Sequence, residues 1–523
     1  MYYNIFSILK EKKFNSKYTN KICLIDRQNK FTYSEIYKLT VKLANYIKTQ
    51  TNIKQGSRVG ILLKKSWEEV VSIFAINAAE MIIVPINSQL KNEQIQHIIN
   101  DCNIEILITS GILLRNKNID FNIIERIKEI ITVDEITKDS KYIKNILLSD
   151  ILNSNALDYE IKPKIIGKDI SALLYTSGST GRPKGVILSN DTITQGAEIV
   201  ASYLELSDDI HTLSVLPFSF DYGLNQLMNT FHIGGTVHLI NYLLINDLIN
   251  YIQNNQISVL ALVPHLWIEL INILEKNNKK LESLKIITNS GGTLYPKYSL
   301  KFSELIPNAR VYLMYGLTEA FRSTYLPPSQ LKIRPTSIGK AIPNVEILVI
   351  DENGNECEPG QKGELVHRGA LITLGYWNDI ENTKKVFKKN PLQKKEQLID
   401  EIVVYSGDIV SKDEEGYLYF HSRKDNIIKS MGYRLNLQEI EVKVLELNFV
   451  KEAVAIGIPD MNVGTKIKLI IPNINANQIE EVKKFLLKEL PYYMQPAEII
   501  SVDNLPLNNN GKIDRPKITE MFK

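Results

Sequence analysis

The segment YTSGSTGRPKG, residues 175–185, decides the fold class and the kind of ligand. Its glycines (Gly178, Gly181 and Gly185) let the backbone approach a ligand closely. Its hydroxyl groups (Thr176, Ser177, Ser179 and Thr180) can donate hydrogen bonds, and Lys184 adds a cation. Together these groups suit a polyphosphate. The P-loop spacing, Gly-x-x-x-x-Gly-Lys-Ser/Thr, cannot be aligned on the segment.

The flanking sequence predicts an α/β protein in which several polar loops meet. Residues 170–175 are typical of a strand, and a helix is predicted to begin near Asn190. Two further predicted strands, 284–288 and 310–314, are followed by Ser290-Gly291-Gly292 and by YGLTE, residues 315–319. Ligands of open α/β sheets bind where loops leave the carboxyl ends of strands, so these loops are expected to share one site.

The composition indicates a soluble protein with at least two domains. A chain of 523 residues exceeds what one hydrophobic core usually organises. The 62 basic and 59 acidic residues leave a net charge of +3, which predicts no general attraction to nucleic acid or to anionic membranes. The three scattered cysteines suggest neither a disulfide framework nor a zinc site, and neither a signal peptide nor a membrane span is expected. A cytoplasmic location fits best.

Three more motifs follow in the second half of the chain: YSGD (405–408), SRKDNIIKSMGYR (422–434) and NGKIDR (510–515). An extended run passes into a new α+β pattern near 423–425. We therefore predict an N-terminal domain over residues 1–422, a hinge at 423–425 and a C-terminal domain over 426–523.

In this order, the motifs resemble those of the adenylate-forming superfamily, which holds acyl-CoA synthetases, adenylation domains of peptide synthetases and luciferases. The likeness covers nearly the whole chain. It departs from the usual pattern at Ser406, Ser422 and Asn508, where Thr, Gly and Thr are common. The resemblance implies a large N-terminal domain of stacked α/β subdomains and a smaller, mobile α+β lid. It also implies ATP and Mg²⁺ as ligands.

The resemblance assigns a nucleotide site. Glu319 would bind magnesium, which prefers carboxylate and phosphate oxygens, and Thr318 would contact the α-phosphate. Asp408 would accept hydrogen bonds from the ribose, supported by Arg423. The remaining nucleotide contacts would come from the phosphate loop (Thr176, Ser177, Gly178, Ser179, Thr180, Gly181, Lys184) and from the adenine slot (Gly291, Gly292, Tyr315, Gly316).

The resemblance also assigns the lid residues. Lys512 would bridge the attacking carboxylate and the α-phosphate, where a fixed cation offsets the repulsion between two anions. Asp425 would be the hinge about which the lid rotates after adenylation. Gly432 would border the tunnel for a pantetheine thiol.

The acid pocket is expected around PFSFDYG, residues 217–223. Phe220 stands where many acyl-CoA synthetases have histidine, and Asp221 matches the Phe-Asp of amino-acid-activating members. A buried carboxylate needs a partner, which a substrate ammonium would supply. The alternative is that Asp221 pairs with a protein group or caps a helix. Arg322 could pair with a second acidic group of the substrate, or form a structural ion pair.

The sequence thus predicts an ATP-dependent acid–thiol ligase. Eleven residues follow Lys512, too few for a fused carrier domain, so the thiol is expected on coenzyme A or on a separate phosphopantetheinyl carrier protein. An amino-acid-like substrate with a separate carrier is the main hypothesis, and an acyl- or aryl-CoA synthetase is the alternative. A non-catalytic nucleotide-binding partner protein is disfavoured by the intact Lys512, Glu319 and Asp408. No residue selects a luciferase-like oxygenase.

Overall fold

The computed structural model describes residues 3–117, 126–135, 144–177, 183–424, 427–430, 433–460, 464–508 and 511–523. Helices and strands are numbered below in chain order within these ranges.

A mainly parallel sheet, the smaller sheet, forms one layer of the large domain. Its strands lie in the order β7 (Lys144–Leu147), β6 (Glu129–Thr132), β5 (Ile104–Thr109), β3 (Arg58–Leu62), β4 (Ile82–Pro85), β8 (Ile170–Ser177) and β9 (Pro183–Ser189). Neighbouring strands are parallel except β8 and β9. Helices that follow these strands are α3 (Trp67–Ala78), α4 (Asn92–Asp101), α5 (Gly111–Lys117), α6 (Leu148–Asn153) and α7 (Asn190–Tyr203). Such crossovers are what parallel pairing requires.

A second sheet, the longer sheet, carries the strand ends that matter for function. Its order is β17 (Val345–Ile350), β18 (Lys362–Gly369), β20 (Ile402–Lys412), β21 (Leu418–Arg423), β16 (Ser337–Ala341), β15 (Thr324–Leu326), β14 (Arg310–Tyr315), β13 (Ile286–Asn289), β12 (Val259–Leu262), β10 (His211–Ser214), β11 (Thr236–Leu239), β1 (Ile22–Asp26) and β2 (Asn29–Thr32), with β19 (Phe387–Lys389) beside β20. The run from β1 to β14 is parallel, and the run from β14 to β17 is antiparallel.

One hydrophobic core joins the two sheets. The helices around the longer sheet are α1 (Ile5–Phe14), α2 (Tyr33–Gln50), α8 (Asp221–Ile233), α9 (Ile245–Asn254), α10 (Pro264–Lys276), α11 (Pro296–Ser299), α12 (Phe302–Leu305) and α13 (Ile380–Val386). Buried side chains of both sheets and the helices between them form a single cluster. Phe74 of α3 stacks on Phe231 of α8, with ring centroids 5.4 Å apart. This shared core fixes α8, which begins at Asp221, relative to the smaller sheet.

The C-terminal part of the chain is a smaller α+β unit with its own core. It contains β22 (Ile427–Ser430), β23 (Tyr433–Asn436), α14 (Leu437–Val444), β24 (Val454–Asp460), β25 (Gly464–Pro472), α15 (Ala476–Glu489), β26 (Glu498–Val502) and α16 (Arg515–Met521). Apolar residues of these elements, among them Ile440, Leu469 and Leu486, form its core. Lys297 of the large domain donates to the carbonyls of Leu445 and Val450, at 3.2 and 3.0 Å. The small unit is therefore docked on the large one.

The predicted α/β class, with a large N-terminal and a smaller C-terminal domain, is confirmed. One local prediction was incomplete. Helix α7 begins at Asn190 as expected, capped by the Ser189 side chain, but strand β9 precedes it. The segment after β8 thus links two antiparallel strands rather than a strand and a helix. No helix in the described ranges is long and apolar enough to cross a membrane.

Candidate active site

The candidate site lies at the carboxyl ends of β13 and β14. Strand β13 ends at Asn289 and leads into Gly291 and Gly292, and β14 ends at Tyr315, just before the 3₁₀ turn Thr318–Ala320. The two strands are parallel neighbours, so their ends meet at one edge of the longer sheet, as predicted. Lys512 reaches the same place from the C-terminal unit.

Asp408 and Tyr315 form the corner of the site that is predicted to bind the ribose. Asp408 is 6% exposed, and its Oδ2 accepts a hydrogen bond from the Tyr315 hydroxyl at 2.5 Å. Among the described residues, Oδ1 has no hydrogen-bond donor, although Arg423 Nη1 stands 3.6 Å away. Burial raises the pKa of Asp408, while Arg423 opposes that shift. A buried carboxylate oxygen that lacks a donor fits a ligand hydroxyl.

At position 406 of the YSGD motif, the hydroxyl group of serine is enough to hold the backbone of Asp408. Its Oγ accepts from the Asp408 N–H at 3.0 Å and donates to the Leu365 carbonyl at 2.8 Å. Both bonds need only a hydroxyl on Cβ, which serine and threonine share. The departure from Thr therefore leaves the Asp408 backbone held.

Glycine is required at the floor of the slot. Gly291 has φ +84°, and a Cβ placed there would lie 2.9 Å from Lys512 Cε. A Cβ on Gly292 would lie 3.2 Å from Pro264 Cγ, and one on Gly316 would lie 3.2 Å from Arg322 Cα. Gly291 thus keeps open a narrow space between the end of β13 and Lys512, while Gly292 and Gly316 allow close packing on Pro264 and Arg322.

Glu319 is held by Tyr376, a residue that the sequence analysis missed. The Tyr376 hydroxyl donates to Glu319 Oε1 at 2.5 Å, and burial, reinforced by the Glu319 charge, raises the pKa of Tyr376. Lys184 lies beside this pair, with Nζ 5.8 Å from the Tyr376 ring centroid and 3.9 Å from Asp379. No local motif marks Tyr376, because it is 57 residues from its partner.

The phosphate loop is described only at its two ends. Thr176 pairs with Lys184 in the register of β8 and β9, and both side chains are partly exposed. Gly178, Ser179, Thr180, Gly181, Asp425 and Gly432 lie outside the described residues, as does the side chain of Ser177. Their predicted roles stay predictions.

Lys512 sits at the end of a tight turn. Its N–H donates to the Asn508 side chain at 3.0 Å. The preceding Gly511 has φ +72°, and a Cβ at this position would collide with the His265 ring. Lys512 Nζ lies 5.1 Å from the centroid of the Phe220 ring. Burial lowers the pKa of Lys512, and the negative charge of Asp221 works against that shift. The lysine thus points at the predicted acid pocket.

In that pocket, Asp221 and Arg322 form a buried ion pair. Arg322 Nη1 donates to Asp221 Oδ2 at 2.6 Å, and the two residues are 2% and 4% exposed respectively. Among the described residues, Asp221 Oδ1 accepts only a long hydrogen bond, 3.4 Å, from Thr318. A protein partner for Asp221, the alternative to amine recognition, is therefore present. Binding of a substrate ammonium by Asp221 stays a prediction.

The donor set fits a magnesium nucleotide. The described residues contain no cluster of three His, Cys, Asp or Glu side chains that could hold a metal by itself. Mg²⁺ bound to a nucleotide needs few protein ligands, because phosphates and water supply the others. Glu319 can provide the carboxylate, and the Asp408 oxygen and the Gly291 slot suit the ribose and the base.

The chain belongs to the AMP-binding enzyme family. The model of that family matches residues 11–377, and the model of the AMP-binding enzyme C-terminal domain matches residues 439–512. This membership confirms the predicted resemblance.

Curated relatives match this chain over very different shares of their own length. The D-alanine--D-alanyl carrier protein ligase of Bacillus velezensis is 27% identical over 504 residues, which cover 94% of this chain and 94% of that protein. Tyrocidine synthase 1 of Brevibacillus parabrevis is 24% identical over 96% of this chain. The chain spans only 44% of that synthase, 43% of gramicidin S synthase 1 and 7% of bacitracin synthase 3.

Solved structures share the fold. The anthranilate CoA ligase AuaEII, in complex with anthranoyl-AMP, superposes with a TM-score of 0.86 at 22% identity, covering 99% of this chain and 97% of that one. ATP-bound MatB from Rhodopseudomonas palustris gives a TM-score of 0.85 at 23% identity, covering 100% and 99%. Both structures match this chain across its N-terminal and C-terminal domains.

Proposed function

We propose that this protein uses ATP to convert a carboxylate into an acyl-adenylate, and then transfers the acyl group to a thiol. The observation that supports this most is the position of Lys512, which comes from the C-terminal unit and lies against Gly291 and Phe220. A cation so placed stands between the predicted nucleotide slot and the predicted acid pocket. At this position the substrate carboxylate and the α-phosphate, both anions, would have to meet.

The proposed first step joins the carboxylate to the α-phosphate. A carboxylate oxygen attacks the α-phosphorus, the bond from that phosphorus to the β-phosphate oxygen breaks, and pyrophosphate leaves. Lys512 and Thr318 would hold the oxygens that carry charge during the transfer. Mg²⁺ held by Glu319 would neutralise phosphate charge. Asp408, Arg423 and Tyr315 would hold the nucleoside.

The proposed second step releases AMP. A thiolate attacks the acyl carbon, a C–S bond forms, and the bond from that carbon to the phosphate oxygen breaks. The thiol proton passes to solvent. A hinge at 423–425, centred on Asp425, would let the lid (426–523) withdraw Lys512 and bring Gly432 to the thiol tunnel.

For the substrate we propose an amino acid or a close analogue, delivered to a separate carrier protein. Asp221 supports this, since its Oδ1 is nearly free to accept from an ammonium. The D-alanine--D-alanyl carrier protein ligase, similar over 94% of its length, supports it too. The alternative is a CoA ligase acting on a plain acid. It is favoured by the Asp221–Arg322 pair, which supplies Asp221 with a cation from the protein. We place the protein in the cytoplasm.

The test is acid-dependent exchange of labelled pyrophosphate into ATP, screened over amino acids, fatty acids and aryl acids. The proposal requires exchange with at least one acid and its loss in Lys512→Ala. The proposal is overturned if no acid supports exchange, or if Lys512→Ala exchanges at the wild-type rate. Products then separate the acceptors: thioester formed with coenzyme A alone would replace the carrier with CoA.

A further inference from the structure

The guanidinium of Arg322 has one edge in use and one edge free. Its Nη1 donates to Asp221 Oδ2 at 2.6 Å and to the Phe321 carbonyl. Its Nε and Nη2 are buried, and within the described part of the chain neither has a hydrogen-bond acceptor. The flat face of the group lies over Tyr222, with Cζ 4.9 Å from the ring centroid. Arg322, which is 2% exposed, therefore has two charged donors that are left unsatisfied.

An unsatisfied buried donor is costly, and this pair has a specific complement. Nε–H and Nη2–H point the same way along one edge of the guanidinium, which is the fork that binds both oxygens of a carboxylate. The unsatisfied pair therefore points to a planar acceptor with two oxygens.

The backbone next to Arg322 holds the fork in place at a cost. Phe321, a non-glycine residue, has φ +52°, which disfavours any residue with a Cβ. Its ring packs on α7 so closely that a Cβ on Gly196 would lie 2.6 Å from Phe321 Cε1. Strained residues of this kind persist where the surrounding packing fixes them, often at binding sites. In this conformation the Phe321 carbonyl accepts a hydrogen bond from Arg322 Nη1.

Arg322 borders the predicted acid pocket through Asp221. Asp221, which Arg322 contacts, is hydrogen-bonded to Thr318 and precedes Tyr222 in α8. Lys512 Nζ lies 5.1 Å from the ring centroid of Phe220, the residue that directly precedes Asp221. Lys512, beside Phe220, and Arg322, bonded to Asp221, thus both lie at the start of α8.

Charge balance then selects among substrates. Lys512 and Arg322 carry two positive charges and Asp221 one negative charge, while Arg423 and Asp408 offset each other in the ribose corner. A reacting carboxylate makes the pocket neutral. A substrate with a second carboxylate but no ammonium would leave one negative charge buried. A substrate with an ammonium but no second carboxylate would leave one positive charge buried. Both together restore neutrality, as a plain monocarboxylic acid also does, but only the amino dicarboxylic acid also supplies an acceptor for Arg322 Nε and Nη2.

We propose that the substrate is an amino dicarboxylic acid whose second carboxylate binds the Nε–Nη2 edge of Arg322 and whose ammonium binds Asp221 Oδ1. This inference rests on the proposed function. It makes Arg322 a specificity-determining residue.

Pyrophosphate exchange over matched acids tests the inference. The panel contains aspartate, glutamate and 2-aminoadipate, each with its side-chain amide, its des-amino diacid and the amino acid that lacks the second carboxylate. We expect one amino dicarboxylate to exceed all its matched analogues by on the order of 10²-fold in kcat/KM, because the analogues leave buried charges unpaired. An analogue, or any plain acid, that equals or exceeds the amino dicarboxylates overturns the inference and leaves the proposed function standing. Exchange with no acid at all overturns the proposed function instead.

Variants separate recognition from folding. Arg322→Lys keeps the charge but lacks the fork, and it should lower kcat/KM for the amino dicarboxylate by on the order of 10-fold or more relative to the amide. The double variant Asp221→Asn/Arg322→Met removes both charges together, so no lone charge is buried, and it should invert the preference towards the neutral analogue. Arg310→Lys, at the opposite end of β14, is the control and should change no preference. Equal losses with every substrate in folded variants would make the ion pair purely structural and overturn the inference.

Discussion

At the scale of single residues, the site depends on a few side chains whose partners are now visible. Asp408 is anchored by Tyr315 and through its N–H by Ser406, and Glu319 is anchored by Tyr376. Within the described ranges, Asp408 Oδ1 then has no donor and is left for a ligand. Lys512 completes the site from the other domain, with its ammonium above Phe220.

Lys512→Ala should cut the rate of adenylate formation by on the order of 10²–10³, as expected for loss of one preorganised charged donor. ATP binding should change little, because the ribose and base contacts remain. Lys517→Ala, on the exposed face of α16, is the matched control and should behave like the wild type. Single-turnover formation of acyl-AMP measures the difference, and a normal rate in Lys512→Ala would remove the lysine from the chemistry.

Gly291→Ala should impair adenylation more than strain alone explains. The new Cβ would have a left-handed φ and would lie 2.9 Å from Lys512 Cε, displacing the lysine. Gly360→Ala is the control, because Gly360 has φ +82° but nothing within 4 Å of a Cβ. Both variants should lose about 1 kcal/mol of stability from strain. Only Gly291→Ala should also lose about 10-fold or more in adenylation rate. Equal activities in the two variants would show that the Lys512 contact is unimportant.

The sequence indicated most of these residues but few of their partners. Asp408, Glu319, Gly291 and Lys512 stand in motifs whose glycines and charged groups have a chemical reason visible in the sequence. The Asp221–Arg322 pair joins residues 101 apart, so only the fold reveals that the carboxylate already has a cation. Tyr376 was missed for the same reason.

At the scale of elements, an ion pair with a buried carboxylate, Glu441, ties the lid helix α16 to α14. Arg515 donates to both oxygens of Glu441, at 2.8 and 2.6 Å, and Glu441 also accepts from the Ala455 N–H at 2.7 Å. Glu441 is 2% exposed. The pair therefore links α14, β24 and the turn that carries Lys512.

Arg515→Met should destabilise the C-terminal domain by about 3 kcal/mol or more, because it leaves the buried Glu441 carboxylate without its cation. Denaturant unfolding measures this loss. The double variant Glu441→Gln/Arg515→Met should recover part of it, since no charge remains buried. If the single variant is as stable as the wild type, the bidentate pair contributes nothing to the lid.

Element positions were predicted better than their connections. The predicted strands 170–175 and 310–314 correspond to β8 and β14, and the predicted helix near Asn190 is α7. Strand β9 was missed because PKGVILS follows the phosphate loop directly, and its pairing with β8 depends on contacts across that loop. The boundary at 423–425 and the motion of the lid stay predictions.

At the scale of the whole molecule, buried histidines should make stability sensitive to acid. Burial lowers the pKa of His367 to about 4 from an ordinary 6.5. Its Nδ1 lies 3.0 Å from Ser323 Oγ and its Nε2 lies 2.7 Å from the Ala370 carbonyl oxygen, so the neutral ring joins β18 to the segment beside Arg322. Below pH 6.5 the unfolded chain takes up a proton that the folded chain refuses.

The free energy of unfolding should therefore fall as the pH drops from 6.5 to 4, by about 3 kcal/mol for this histidine. The measurement is the slope of unfolding free energy against pH in wild type and in His367→Gln, which cannot titrate. The slope should be shallower in the variant, with the remainder due in part to His238, whose pKa burial also lowers to about 4. Identical slopes would contradict the assignment.

The central claim is that residues from both domains form a single adenylating site. Its most direct test is to incubate the enzyme with ATP, Mg²⁺ and the acid that supports exchange, without any thiol, and to identify the bound product by mass spectrometry. We expect one acyl-AMP per active site and an equal amount of pyrophosphate in wild type, and only traces of either in Lys512→Ala quenched when the wild type has just completed one turnover. Formation of ADP and phosphate, or acyl-AMP at the wild-type level without Lys512, would contradict it.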